Sequence, residues 1–312
     1  MYIDEFDLSF FAKSPFLVSL DINNALLCRF WQTCDLCIYV EHRLGKILDP
    51  RLLKEAEILQ LEQEALTQYD CLSNPCKQES YSLPFWIRYH KEIVGIVKLD
   101  TLPVHGPKII YIWNLYLFPE HRRQDIGHQL LDNLYELAIA HGFAGIRVKT
   151  EWMYQSAVQF YLDIGLWVIG WKHNLDFGRL PDLPSYRFEL QNKQALFWVN
   201  SPDSEKYQLF YTAHNKDGYL VLEEQALVDE DYMLEHCALC TFSLCLAQNG
   251  FPLVASQAEW EEEMGWCDGA MPVCLAYKIE VWEAYERKQG FLVNTPKIPG
   301  LQYRKWDELM KE

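Results

Sequence analysis

Leu115-Tyr-Leu-Phe-Pro-Glu-His-Arg-Arg-Gln-Asp-Ile-Gly-His-Gln-Leu-Leu131 is the stretch that decides the fold. Its apolar start reads as the end of a strand, the residues after Pro119 as a basic turn, and the remainder as the opening of a helix. The first N–H groups of a helix have no intrahelical partner, and the aligned peptide dipoles place partial positive charge there. Arg122, Arg123 and a helix start at Gly127 therefore suit an anion the size of a phosphate. Gly127 lets such a ligand approach the backbone closely. A second reading stays open, in which Asp125 caps the helix and the arginines are solvated.

Outward from this stretch the elements alternate. Ile126, Leu130, Leu131, Leu134, Leu137 and Ala138 form one apolar stripe of a helix to His141, and Gly142 is a stop. Ile146-Arg147-Val148 follows as a short strand. A second helix carries Ala157, Phe160, Tyr161 and Ile164, with Gly165 past its end, and Leu166 to Gly170 and Tyr186 to Leu190 read as strands. Upstream, Phe85 to Tyr89, Ile93 to Leu99 and Ile109 to Phe118 are strand-like, and His90-Lys91-Glu92 is short enough for a hairpin. Asp49-Pro50 opens a helix through Leu52, Leu53, Ala56, Leu59, Leu61 and Ala65. Residues 1–48 carry apolar runs with no clear period. The fold class expected is α/β (α+β), a mixed central sheet flanked by helices.

The polar run Gln191-Asn192-Lys193-Gln194 reads as a boundary between domains 1–192 and 193–312. The second, smaller α+β domain would hold strands Ala195 to Val199, Gln208 to Thr212 and Tyr219 to Leu222, then a helix Tyr232 to Ala247. Trp260 to Met264 reads as a further helix with an acidic face. No motif for chemistry is evident after residue 192, and no repeat runs through the chain.

Residues 115–131 have a close likeness. They resemble the coenzyme-A-binding motif of the GNAT superfamily of N-acetyltransferases, whose turn Arg/Gln-x-x-Gly-x-Gly/Ala falls here on Arg122-Arg123-Gln124-Asp125-Ile126-Gly127. Ala157-Val-Gln-Phe-Tyr-Leu-Asp-Ile-Gly165 resembles the second signature of that family, and the likeness spans about residues 80–191. It implies a GNAT-like sheet, acetyl-CoA as cosubstrate and no metal. It implies that the backbone of Leu115 and Leu117, on a strand splayed by a bulge, holds the pantetheine arm and polarises the acetyl carbonyl. Arg122, Arg123, Gln124, Asp125, Ile126, Gly127 and His128 would hold the pyrophosphate. Tyr161 matches the tyrosine that protonates the leaving thiolate, its phenol, with a pKa of about 10, holding its proton at neutral pH. A core aromatic is the other reading of Tyr161.

Three departures from the pattern matter. Asp125 stands where the first turn glycine would be; Asp tolerates a left-handed backbone, but its carboxylate would repel pyrophosphate by roughly 4 kcal/mol at 4 Å before screening. No glutamate precedes the motif in Ile112-Trp113-Asn114, so Glu151 is the nearest candidate base, the other reading being a plain strand-end carboxylate. Tyr154 replaces an asparagine before the second helix.

Composition narrows the partners. The net charge is −16, with −6 before residue 193 and −10 after, so neither half offers the basic field that nucleic acid attracts. Ala238 to Ser256 is the longest apolar run, interrupted by Gln248, Asn249, Gly250 and Pro252, and a membrane span is not expected. The acidic start lacks the marks of an export signal, and ten cysteines in 312 residues fit reduced thiols in a cytoplasm. Cys34/Cys37 and Cys237/Cys240 lie too far apart in sequence for paired zinc knuckles and read as core thiols. The expectation is an acetyl-CoA-dependent N-acetyltransferase acting on a primary amine by direct transfer. The acidic surface favours a cationic small-molecule or peptide amine. A homodimer stays open. The alternative is a GNAT-fold binding module that has lost the chemistry.

Overall fold

Two positive φ angles, 46° at His90 and 73° at Lys91, close the first hairpin. A two-residue turn of this kind matches the right-handed twist of the strands it joins. It links β2 (Ser82–Tyr89) to β3 (Glu92–Asp100), with Tyr89 opposite Glu92. The computed structural model describes residues 8–68, 82–101, 108–150, 154–171, 175–181, 183–200, 206–216, 219–224 and 232–249. The chain divides into two compact units, 1–149 and 150–312.

In the first unit the strand order is β1 (Leu17–Ser19), β2, β3, β4 (Ile110–Leu117), β5 (Ile146–Thr150). Neighbours are antiparallel up to β4, and β4 and β5 are parallel, which makes the sheet mixed. The helix α1 (Ala25–Leu44) packs across β3 and β4. Asn24 caps it by accepting from the N–H groups of Leu26 and Leu27, and Gly45 ends it at φ 63°. One face buries Cys28, Trp31, Cys34 and Cys37 against Trp86, Ile96, Tyr116 and Phe118. Residues 1–48 thus hold a 20-residue helix whose period the sequence obscured.

A second helix, α2 (Glu55–Gln68), lies against α1 through Leu36, Ile58 and Ala65. It begins later than Asp49-Pro50 suggests, because Asp49 is occupied elsewhere: its carboxylate accepts from Arg51 Nε at 2.9 Å and Nη2 at 2.6 Å. The helix α3 (Ile126–Ala140) buries Ile126, Leu130, Leu131, Leu134 and Ala138, the stripe expected, and Gly142 follows at φ 78°.

In the second unit, α4 (Gln155–Asp163) precedes an antiparallel pair, β6 (Trp167–Trp171) and β7 (Leu175–Arg179). A four-stranded sheet follows in the order β11 (Tyr219–Glu224), β10 (Tyr207–Lys216), β9 (Gln194–Asn200), β8 (Ser185–Gln191). The run Gln191 to Gln194 is not a linker. Asn192 and Lys193 have φ of 50° and 65°, and Gln191 pairs with Gln194, so a boundary at residue 192 would cut a hairpin. The helix α5 (Tyr232–Gln248) buries residues on all sides, among them Cys237, Cys240, Phe242 and Cys245. Burial all round is what its apolar composition demands. No helix among the described residues is long and apolar enough to cross a membrane. The expected helix at Trp260 to Met264 lies outside the described residues.

Gly95 of β3 pairs with Leu117 of β4. A Cβ built there would lie 2.0 Å from the carbonyl oxygen of Tyr116, a backbone atom that cannot swing aside. Gly95→Ala is expected to destabilise the protein by about 3 kcal/mol, at the upper end of overpacking costs, in urea denaturation. An unchanged midpoint would mean that β3 and β4 are not paired in this register.

Candidate functional site

The parallel pairing of β4 with β5 covers Ile110 to Ile112, and β4 runs on to Leu117 beyond it. On the other side, Tyr116 faces Ile96 and Trp113 faces Lys98, so Asn114 and Leu115 together oppose Val97. This is a β-bulge, and Asn114 within it takes a positive φ of 51°. Asn114 Nδ2 donates to Asp35 Oδ1 of α1 at 2.7 Å. The bulge re-aims the backbone of Leu115 just where the strand has left its parallel neighbour.

A 3-10 turn, Pro119–His121, leads from β4 into the basic turn. Arg122 does not lie free there. Its Nε donates to the carbonyl of Leu117 at 2.9 Å, and Nη1 and Nη2 donate to Oε1 and Oε2 of Glu41 at 2.7 Å each. Its guanidinium lies 4.9 Å from the centroid of the Tyr116 ring, a cation–π contact. Burial disfavours the charged guanidinium, yet the hydrogen bonds and charge of Glu41, with Tyr116, together outweigh it and the pKa is raised. Tyr116 in turn donates its hydroxyl to the carbonyl of Leu48 at 2.6 Å, and burial pushes its own pKa up.

Arg123 and Asp125 both adopt left-handed backbone, at φ 58° and 63°. Asp125 occupies the cap position of α3, but its side chain caps nothing, so the capped-helix reading fails. An N-cap residue that accepts from N2 or N3 normally has extended backbone; the left-handed angle turns this carboxylate away from them. It meets His128 Nδ1 at 3.3 Å and accepts from Gln129 Nε2 at 3.4 Å instead. His128 also lies 3.3 Å from Asp132, which places its ring between two carboxylates. Gln124 folds back onto the carbonyl of Glu120 at 2.6 Å, and Ile126 and Gly127 are buried in the first turn of α3.

The structure therefore brings Leu115, Leu117 and Arg122 to His128 together as one strand–turn–helix segment. The first N–H groups of α3 carry no side-chain cap, and the exposed Arg123 is the flanking cation. This suits a diphosphate held by backbone groups. Asp35, Glu41 and Gly95 complete the segment, and none was singled out in the sequence. Their partners lie at large separations, 79 residues for Asp35–Asn114 and 81 for Glu41–Arg122, so no local spacing marks them.

Residues 50–166 match the family described as acetyltransferase (GNAT) family. The likeness to that family covers 117 of the chain's 312 residues. The bulge, turn and α3 lie within the matched segment, whereas Asp35 and Glu41 of α1 lie before it. A comparison with curated proteins finds no match. Among solved structures, the PaiA N-acetyltransferase of Thermoplasma acidophilum with coenzyme A is 15% identical, with 53% of this chain and 97% of that chain covered and a TM-score of 0.38. The microcin C7 self-immunity acetyltransferase MccE, with acetyl-CoA and AMP, is 12% identical over 54% and 93%, with a TM-score of 0.34. A streptothricin acetyltransferase assignment from Bacillus anthracis, with acetyl coenzyme A, is 18% identical over 34% and 66%, with a TM-score of 0.29.

Tyr161 is on α4 in the second unit, buried, with its ring 5.3 Å from those of Phe160 and Phe177. Burial raises its pKa and keeps the phenol protonated, as both a core aromatic and a proton donor require. Glu151 lies outside the described residues. Cys34 and Cys37 are fully buried, and burial pushes the Cys37 thiol up to about 12, so they pack as neutral thiols.

The Glu41–Arg122 pair is part-buried, so its rupture should cost between the 0–1 kcal/mol of an exposed pair and the 3–5 of a buried one. Glu41→Ala is expected to lose about 2 kcal/mol in chemical denaturation, and Arg122→Ala more, since it also frees the Leu117 carbonyl. The double variant should be little worse than Arg122→Ala, a coupling of at least about 1 kcal/mol. Additive losses would show that the two side chains do not act together.

Proposed function

We propose that the protein is an acetyl-CoA-dependent N-acetyltransferase in which a primary amine attacks the thioester directly. The support for this reading is the continuity of the bulged end of β4 with the uncapped start of α3, inside the segment that matches the GNAT family. In this mechanism the Leu115 backbone N–H polarises the acyl carbonyl and stabilises the oxyanion that forms. The first turn of α3 and Arg123 hold the diphosphate. Tyr161 donates a proton to the departing thiolate, and Glu151 is the proposed base for the amine. The acceptor proposed is a cationic amine, drawn by the chain's charge of −16.

Arg122 has a different role from the one its motif position suggests. Its donors already serve Glu41 and Leu117, so in this mechanism it fixes the shape of the turn while backbone groups meet the phosphates. A second reading, a binding module without chemistry, draws support from the same engaged arginine and from the Asp125 carboxylate at the turn.

Coenzyme A titration separates the two readings. The wild type is expected to bind it, and Asp125→Gly to bind about tenfold tighter, because about 1.4 kcal/mol of charge repulsion is relieved. Stability should not fall, since no cap is lost and glycine accepts the left-handed angle freely. No heat of binding with either protein would rule out the acetyltransferase. Tyr161→Phe should lower thiol release from acetyl-CoA at least a hundredfold with an amine the wild type acetylates, leaving coenzyme A affinity unchanged. An unaltered rate would remove Tyr161 from the mechanism.

A further inference from the structure

The bulge in β4 is held from outside its own sheet. Asn114 takes a φ of 51°, a region that residues other than glycine enter at a cost, and its side chain reaches Asp35 on α1 at 2.7 Å. Both partners are part-buried, which shields the bond from competition by water. At the other end of the same segment, the Leu117 carbonyl is tied through Arg122 to Glu41, also on α1. Asp35 and Glu41 are six residues apart on a helix, so one rigid element anchors both ends of Asn114 to Leu117. Between the anchors, Tyr116 is buried against Trp31, Cys34 and Cys37 and donates to Leu48. Only Leu115 and Tyr116 lie between the two anchor points, so their separation fixes the direction of the Leu115 N–H.

We infer that Asp35 is a positioning residue for acyl transfer: through Asn114 it holds the bulge that presents the Leu115 N–H to the acyl carbonyl of acetyl-CoA. The inference rests on the proposed acetyltransferase reading and adds a residue outside the segment that matches the family. Asp35 touches neither substrate in this account. It acts by fixing a peptide plane, and a hydrogen bond to a carbonyl needs that plane within narrow angular limits. Its signature is therefore discrimination between ligands with and without the acyl carbonyl, while affinity for the coenzyme portion stays constant.

The test compares coenzyme A with acetyl-CoA by calorimetry, and no acceptor amine is needed. The wild type should bind acetyl-CoA about fivefold tighter, the increment of one net hydrogen bond. Asp35→Ala should bind coenzyme A as the wild type does and lose the fivefold difference. Asp35→Asn keeps an oxygen that accepts from Asn114 and should restore it. Asn114→Gly accepts the positive φ but lacks the side-chain anchor, so it should also lose the difference and serves if Asp35→Ala does not fold. A preference for acetyl-CoA that survives both Asp35→Ala and Asn114→Gly would overturn the positioning role and leave the acetyltransferase standing. Equal binding of the two ligands by the wild type would overturn it as well. Loss of coenzyme A affinity together with the preference would make Asp35 merely structural. Failure of the wild type to bind either ligand would remove the acetyltransferase reading itself.

Discussion

The bidentate pair between Glu41 and Arg122 is the contact on which the candidate site depends. It joins a helix near the start of the chain to the turn that follows β4, and the same guanidinium ties down the Leu117 carbonyl. A half-buried arginine with unmet donors would be costly, and a turn with two left-handed residues has no regular ladder to stabilise it. The pair answers both demands. It fixes where β4 ends, and so where α3 begins and what its first N–H groups face.

That arrangement changes the division of labour within the motif. A cationic side chain in a phosphate-binding turn is naturally assigned to the ligand, but here it is consumed by the fold. What remains for an anion is the helix start itself, with the Asp125 carboxylate turned toward His128 and Gln129. Backbone N–H groups have one advantage over a long side chain: they are ordered before the ligand arrives and lose no rotamer freedom on binding. The residual charge of Asp125 still opposes an anion, moderated by its exposure and by Arg123.

Most of the central elements were legible because their patterns are local. The apolar stripe of α3, the hairpin at His90-Lys91 and the strands on either side follow from periods of a few residues. The helix α1 escaped because its buried face is made of cysteines and a tryptophan, Cys28, Trp31, Cys34 and Cys37, among other apolar residues that blur the stripe. Asn24 and Gly45 were the available signals, a cap and a stop 21 residues apart. β7, Leu-Asp-Phe-Gly-Arg, buries an aspartate and carries a glycine, and it has neither alternation nor β-branched residues to announce a strand. Asn192-Lys193 was polar for the sake of a tight turn, and polarity alone does not separate a hairpin from a linker. The contacts that shape the candidate site could not be read at all, because Asp35 and Glu41 find their partners only once α1 lies across β4.

Amide hydrogen exchange with and without coenzyme A tests the central claim most directly, since it reports on each segment of the folded chain without an acceptor. Coenzyme A is expected to slow exchange between Leu115 and Gln129, most strongly at the first turn of α3. Unchanged exchange across that segment at saturating coenzyme A, or protection confined to other parts of the chain, would contradict the claim.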